Sequence, residues 1–339
     1  MDNKRMGRQT VKLNRPPVIT AWASVVGKQE GEGPLGSCFD QVSADSYFGQ
    51  DSWEKGESEM LRRCFTLACQ KAAVTPAQLD YLLSGDLLNQ CTGSAFALKD
   101  TPVPYFGLYG ACSTMAESLS LGALLVDGGF ADTVCAATGS HFCSSERQFR
   151  FPLEYGGQRT PTAQWTVTGA GAVILCTVGT GPRITHVTTG MITDKGITDA
   201  ANMGAAMAPA AYSTLTAHFR DTHRSPQDYD AIFTGDLGAV GYRAIIESFA
   251  KSGQDLTNRY FDCGLLMFDR NRQDVHAGGS GCGCAASVLC GYILPKLQSG
   301  AWKRVLFTAT GALLSATTPL QGLSIPGICH AVAIESEVQ

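Results

Sequence analysis

Cys112 lies in the run Tyr105-Phe106-Gly107-Leu108-Tyr109-Gly110-Ala111-Cys112-Ser113-Thr114-Met115-Ala116-Glu117. An apolar, aromatic stretch ends in a Gly-Ala pair, the cysteine follows, and helical spacing then runs from Ser113 to Val126. The pattern predicts a buried strand, a sharp turn and a helix whose N-terminus points at the thiol. The partial positive charge there stabilises a thiolate, so a depressed pKa and a reactive sulfur are expected. A structural cysteine in a tight strand-helix corner gives the same pattern, and this stretch alone leaves both readings open.

The remaining chemistry-bearing residues exclude several classes. There are thirteen cysteines and no CxxC pair, and Cys282-Gly283-Cys284 stands without a second ligand pair, which argues against zinc. An odd count within mostly apolar segments argues for buried thiols in a reducing compartment rather than a disulfide scaffold. Net charge is −4 without a basic cluster, so no nucleic-acid partner is expected. Gly278-Gly279-Ser280-Gly281 lacks the Gly-Lys-Ser/Thr ending of a phosphate loop. The basic N-terminus has no apolar core behind it, and no apolar run reaches the roughly 18 residues of a membrane span. The expectation is a soluble, cytoplasmic protein.

The elements that position these residues form two similar series. After a flexible arm (residues 1–15) and a strand at 17–26 comes a polar, glycine-rich loop to Gln50. A helix at 58–73, a proline turn and a strand at 81–87 follow. The second half repeats this plan: a helix at 212–222, a proline turn and a strand at 231–237. Pro76 matches Pro226, Asp80 matches Asp230, and Gly85-Asp86-Leu87 matches Gly235-Asp236-Leu237, all offset by 150. Strand 134–139 has a counterpart in 306–311, offset by 172. Strands at 170–177, 184–189 and 328–334 complete the pattern. Two halves on one plan predict a duplicated α/β unit, with halves 16–179 and 180–339. Asp86 and Asp236 occupy equivalent turns, where capping the following helix is the simplest role.

A duplicated α/β unit with an elbow cysteine at Gly110-Ala111-Cys112-Ser113 resembles the thiolase superfamily, ketoacyl synthases included. That resemblance implies a five-layered α-β-α-β-α sandwich, an acyl-carrying elbow cysteine between the halves, and a homodimer. More closely, the chain is similar to a sporulation family of Bacillus-type bacteria, the stage V sporulation protein AD family. The carrying segments are Gly27-Lys28-Gln29-Glu30-Gly31-Glu32-Gly33-Pro34-Leu35-Gly36, Glu146-Arg147-Gln148-Phe149-Arg150-Phe151-Pro152 and Thr160-Pro161-Thr162-Ala163-Gln164-Trp165-Thr166, besides the elbow. This implies binding of dipicolinic acid, with or without calcium, and a role in its uptake into the forespore alongside membrane subunits at the spore inner membrane.

Condensing enzymes of this kind add a histidine and an asparagine beside the cysteine. Here the first position falls at or beside Asp236 and the second at Cys282, and a carboxylate placed where an oxyanion develops repels it. His141 and His276 are the remaining histidines placed to rebuild a Cys-His pair. The expected protein is therefore non-catalytic, with no cofactor; the alternative is an acyl-CoA condensing or acyl-transfer enzyme using Cys112. For a dicarboxylate ligand, Arg147 and Arg150 are candidate partners, since guanidinium pairs bidentately with carboxylate. Cys112, Ser113, Asp236, His276 and Cys282 complete the candidate ligand site, and Asp86 and Asp236 are candidate calcium ligands.

Overall fold

A computed structural model describes residues 4–149 and 159–337. The strands that build its two halves are β1 (Val18–Val26), β2 (Tyr81–Gly85), β3 (Tyr105–Gly107), β4 (Thr133–Ser140), β5 (Gly169–Cys176), β6 (Arg183–Thr188), β7 (Ala231–Thr234), β8 (Tyr260–Asp262), β9 (Arg304–Ala312) and β10 (Gly327–Glu335). The helices that matter for the site are α1 (Trp53–Ala72), α2 (Thr92–Leu98), α3 (Thr114–Gly128), α4 (Phe142–Phe149), α5 (Met203–Thr222), α6 (Gly238–Lys251) and α7 (Cys282–Val288).

The repeat read from the 150-residue offset is visible in the pairing. The first half is ordered β3-β2-β4-β5-β1 and the second β8-β7-β9-β10-β6. In each, β2 or β7 pairs parallel on both sides, while the last two strands run antiparallel to their neighbours. The two half-sheets join at a single paired position, Val18 with Arg183, which makes one continuous sheet of the two. Pro76 and Pro226 each open a 3-10 turn with a reciprocal cap, Thr75 with Gln78 and Ser225 with Asp228. Asp80 accepts from the N–H groups of Asp132 and Thr133, at 2.7 and 2.9 Å, and Asp230 does the same for Lys303 and Arg304, at 2.6 and 2.9 Å. The matching aspartates thus pin the start of β4 and of β9.

Layering follows from apolar strands that are buried on both faces. α1 packs on β1 and β5 from outside, and α5 packs on β9 and β10 from the other outside. α3 lies between the halves, against β2 and β4 on one side and β9 and β10 on the other. Its Met115, Leu119 and Ala123 are fully buried there. This is the five-layered α-β-α-β-α sandwich.

Two local expectations are corrected. β3 is not buried: all three of its residues are exposed, because it is the edge strand of its half and no layer covers it. The arm is not all outside the fold either, since Thr10–Lys12 pairs antiparallel with β6 and Leu13 is buried.

Candidate functional site

The elbow is built by backbone geometry. Ala111 has φ +51°, a left-handed conformation costly for a residue with a Cβ. A single 3-10 turn, Ala111–Ser113, then leads into α3. The Ser113 hydroxyl donates to the Gly110 carbonyl at 2.7 Å, and the Thr114 hydroxyl to the Ala111 carbonyl at 2.7 Å, so both side chains serve the turn. β9 passes behind it at Gly311, where a Cβ would meet the Gly110 carbonyl oxygen. The thiol of Cys112 emerges from this turn, buried.

The second half supplies Asp236, fully buried at the end of β7. Its Oδ1 accepts from the Thr310 hydroxyl at 2.7 Å; its Oδ2 accepts from the Gly281 N–H at 2.9 Å and the Ser280 hydroxyl at 3.3 Å. The charge of this carboxylate acts on the Cys112 thiol. Burial raises the Asp236 pKa against these hydrogen bonds. The thiol is not depressed, as the helix terminus alone predicts, but pushed well above its usual value. Burial is the larger cause, the Asp236 charge the next and Cys282 the third. Cys282, the first residue of α7, donates to the Gly139 carbonyl at 3.1 Å.

A cavity of about 230 Å³ opens in front of Cys112. Leu87, Tyr109, Phe149, Met203, Ala312 and Leu314 form most of its wall, with Ser145, Glu146, Thr166 and Ser280 as the polar positions. It is small against the roughly 300–1,000 Å³ of most ligand pockets. A two-stranded ribbon, Trp165–Thr166 parallel to Gly279–Ser280, ties the halves together here and places Thr166 and Ser280 in the wall.

The other sequence candidates lie elsewhere. His141 is buried with Nε2 at 2.7 Å from the Ser46 carbonyl, and burial lowers its pKa. His276 sits 3.1 Å from Asp274 on the surface side. Neither histidine lines the cavity. Arg147 pairs with Glu54 and lies over the Trp53 ring, outside the lining. Arg150 lies outside the described residues. Asp86 does cap: its Oδ2 accepts from the Ser94 N–H and hydroxyl at 2.6 and 2.7 Å, within α2. Asp236 does not cap α6. Asp262 does, accepting from the N–H groups of Leu237 and Gly238 at 2.8 and 3.0 Å, and its burial raises its pKa to about 7. With their oxygens turned to N–H and O–H donors, neither Asp86 nor Asp236 presents a calcium ligand. Among the described residues no cluster of His, Cys, Asp and Glu is placed to hold a metal ion.

Several site residues had no separate signal in the sequence. Gln164 Nε2 donates to the carbonyls of Asp236 and Gly279, at 2.6 and 2.8 Å, and so holds the loop that carries the acid. Ser145, Phe149 and Met203 likewise carry no separate signal, although Gln164 and Phe149 fall inside the segments that carry the family resemblance.

Three solved structures share the fold: 3-oxoacyl-[acyl-carrier-protein] synthase III from Aquifex aeolicus VF5, at 14% identity and TM-score 0.55 over 94% of this chain and 99% of that one; cerulenin-bound OleA from Xanthomonas campestris, at 15% and 0.58 over 94% and 96%; and human mitochondrial 3-ketoacyl-CoA thiolase with CoA, at 13% and 0.55 over 96% and 99%. At such identities the likeness is one of fold. The stage V sporulation protein AD of Bacillus subtilis (strain 168) is 42% identical over 332 residues, 98% of each chain. The family model described as stage V sporulation protein AD matches residues 7–335. With elbow, duplicated halves and this match in one chain, the protein belongs to the stage V sporulation protein AD family.

Proposed function

We propose that this sporulation-family protein is a non-catalytic binder of dipicolinic acid, alone or as its calcium complex, supporting its uptake into the forespore. The observation that carries the reading is the Asp236 carboxylate against the Cys112 thiol. A buried negative group at that point opposes both formation of a thiolate and the growth of an oxyanion during acyl transfer. What remains useful in the geometry is the small cavity itself, walled by Tyr109 and Phe149, which suits a flat aromatic ring. No helix among the described residues is long and apolar enough to cross a membrane. The proposal assigns passage through the bilayer to membrane subunits of the same system.

Calorimetric titration with dipicolinic acid, with and without calcium, tests this directly. Saturable binding is expected for both the wild type and Cys112→Ala, with affinities within about threefold, since the thiol contributes only a small hydrogen-bonding group. Absence of dipicolinate binding, together with a Cys112 acyl adduct by mass spectrometry after incubation with an acyl-CoA, would return the protein to the acyl-transfer enzymes.

The same reading includes a homodimer. β3 leaves one edge of its half unpaired and exposes Tyr105 and Phe106, and such an edge is a template for a second strand. Light scattering should give twice the chain mass for the wild type, and Phe106→Asp should halve it; a monomeric wild type rejects this part of the proposal.

A further inference from the structure

Glu57 of α1 is buried, and so is Asp86, the residue that follows β2. The two carboxyl groups meet at Gly93 in α2. A Cβ on that glycine would stand 3.0 Å from Asp86 Cγ, 3.2 Å from Asp86 Oδ2 and 3.2 Å from Glu57 Oε1. The acids thus flank a space of about one methyl group. Glu57 Oε2 accepts from the Ser144 hydroxyl of α4, whereas Oε1, the oxygen on the Gly93 side, is buried without a hydrogen-bond partner. Native proteins rarely leave a buried polar atom in that state without a reason.

Two like charges buried this close are not both kept. Asp86 is the better supported anion, with the Leu88 N–H at 2.8 Å and the Ser94 N–H and hydroxyl at 2.6 and 2.7 Å. Glu57 has the single Ser144 hydroxyl. Burial, and next to it the Asp86 charge, pushes the Glu57 pKa well above the usual carboxylate range. The other ionisable groups around it bring no relief. Glu54, on the same helix, adds negative charge and pairs with Arg147 of α4. The Cys282 thiol of α7 is kept protonated by its own burial, and burial lowers the His141 pKa.

We infer that Glu57 and Asp86 hold one proton between them, on Glu57 Oε1, and that this proton latches α1, the turn before α2 and α4 together behind the cavity wall. α1 packs on both α2 and α4. Leu87 follows Asp86 and Ser145 follows Ser144, and both line the cavity. Loss of the proton leaves two buried carboxylates in repulsion, so α1 parts from the turn and the wall residues move with their neighbours. The latch opens toward alkaline pH, whichever ligand the cavity takes.

Urea unfolding of wild type and Glu57→Gln between pH 5.5 and pH 8.5 tests the proton. A carboxyl that is protonated in the fold and ionised in the unfolded chain loses stability as pH rises above its unfolded pKa of about 4.3. Glutamine keeps the shape and offers an N–H to Asp86. Its folding constant relative to wild type should therefore climb about tenfold per pH unit until Glu57 ionises in the folded wild type. Other buried acids act equally in both proteins and cancel. With Asp86→Asn in both, the climb should end at least about one pH unit lower, because the like charge is gone. Should Asp86→Asn fail to fold, infrared spectroscopy decides: wild type at pH 8 should show a protonated carboxyl band that Glu57→Gln lacks. Hydrogen exchange, corrected for intrinsic rates, tests the latch: protection in α4 and residues 86–94 should fall at least about tenfold between pH 7 and pH 10 in wild type and hold in Glu57→Gln. Parallel stability curves, or no such band, overturn the shared proton. A climb that ends at the same pH with Asp86→Asn overturns the pairing, and unchanged protection in wild type overturns the latch.

Discussion

Asp236→Asn should speed alkylation of Cys112 by iodoacetamide at least about tenfold at pH 8, while Asp236→Ala should cost roughly 3–5 kcal/mol of stability. Two effects of one carboxylate separate in this pair. Burial and, second to it, the negative charge beside the sulfur raise the thiol pKa, and each unit of the charge's share is tenfold in thiolate population near neutrality. Asparagine removes the charge and keeps a polar side chain of the same shape. Alanine instead strands the donors that converge on the acid: the Thr310 and Ser280 hydroxyls and the Gly281 N–H. Each unsatisfied buried donor costs about 1–3 kcal/mol, partly relieved by relaxation. Peptide mass spectrometry reads the alkylation at Cys112 among the other thiols, and urea unfolding reads the stability. An Asp236→Asn protein that alkylates no faster would mean that burial alone silences the sulfur.

The second large effect belongs to Gly311. Its equivalent in the first half is Gly139, and the two should respond differently to alanine. At Gly311 an added Cβ meets the Gly110 carbonyl oxygen of the elbow, a backbone atom that cannot rotate away. At Gly139 the nearest atoms are the Ala170 Cβ and the Gly169 oxygen, both at 3.2 Å, a contact relieved by a few tenths of an ångström. Overpacking of a close contact costs about 1–3 kcal/mol. Gly311→Ala is expected to reach or pass the top of that range and Gly139→Ala to stay under about 1.5 kcal/mol. Equal losses in thermal unfolding would show that the elbow moves freely against β9.

The duplicated plan was legible because it lives in local chemistry. Proline turns, the strand-pinning aspartates and the Gly-Asp-Leu ends repeat at one offset, and each is decided by residues close in sequence. The elbow at Cys112 was legible for the same reason. The tertiary surroundings were not. A helix start lowers a thiol pKa, yet burial and, next to it, the charge of Asp236, 124 residues further along the chain, reverse the sign. Asp262 caps α6 from a neighbouring strand, a role that the sequence position of Asp236 suggests for that residue. Arg147 matched a dicarboxylate by type, but the turn of α4 carries it to Glu54 and gives the cavity Ser145 and Phe149 instead. Residue type announces what a side chain can do, and the packing of distant elements decides what it meets.

The closing of each half by its first and last strands has a consequence for synthesis on the ribosome. β1 finds its antiparallel partner β5 only after about 150 residues have been made, and β6 waits equally long for β10. Such long-range pairing is slow, and larger chains tend to fold unit by unit as they emerge. The first half can assemble its strands while the second is still being translated. Its inner helix α3, however, keeps one apolar side open until β9 and β10 arrive. For that interval the nascent chain carries an uncovered hydrophobic stripe around Met115 and Leu119, the surface that a trigger-factor-type chaperone would shield.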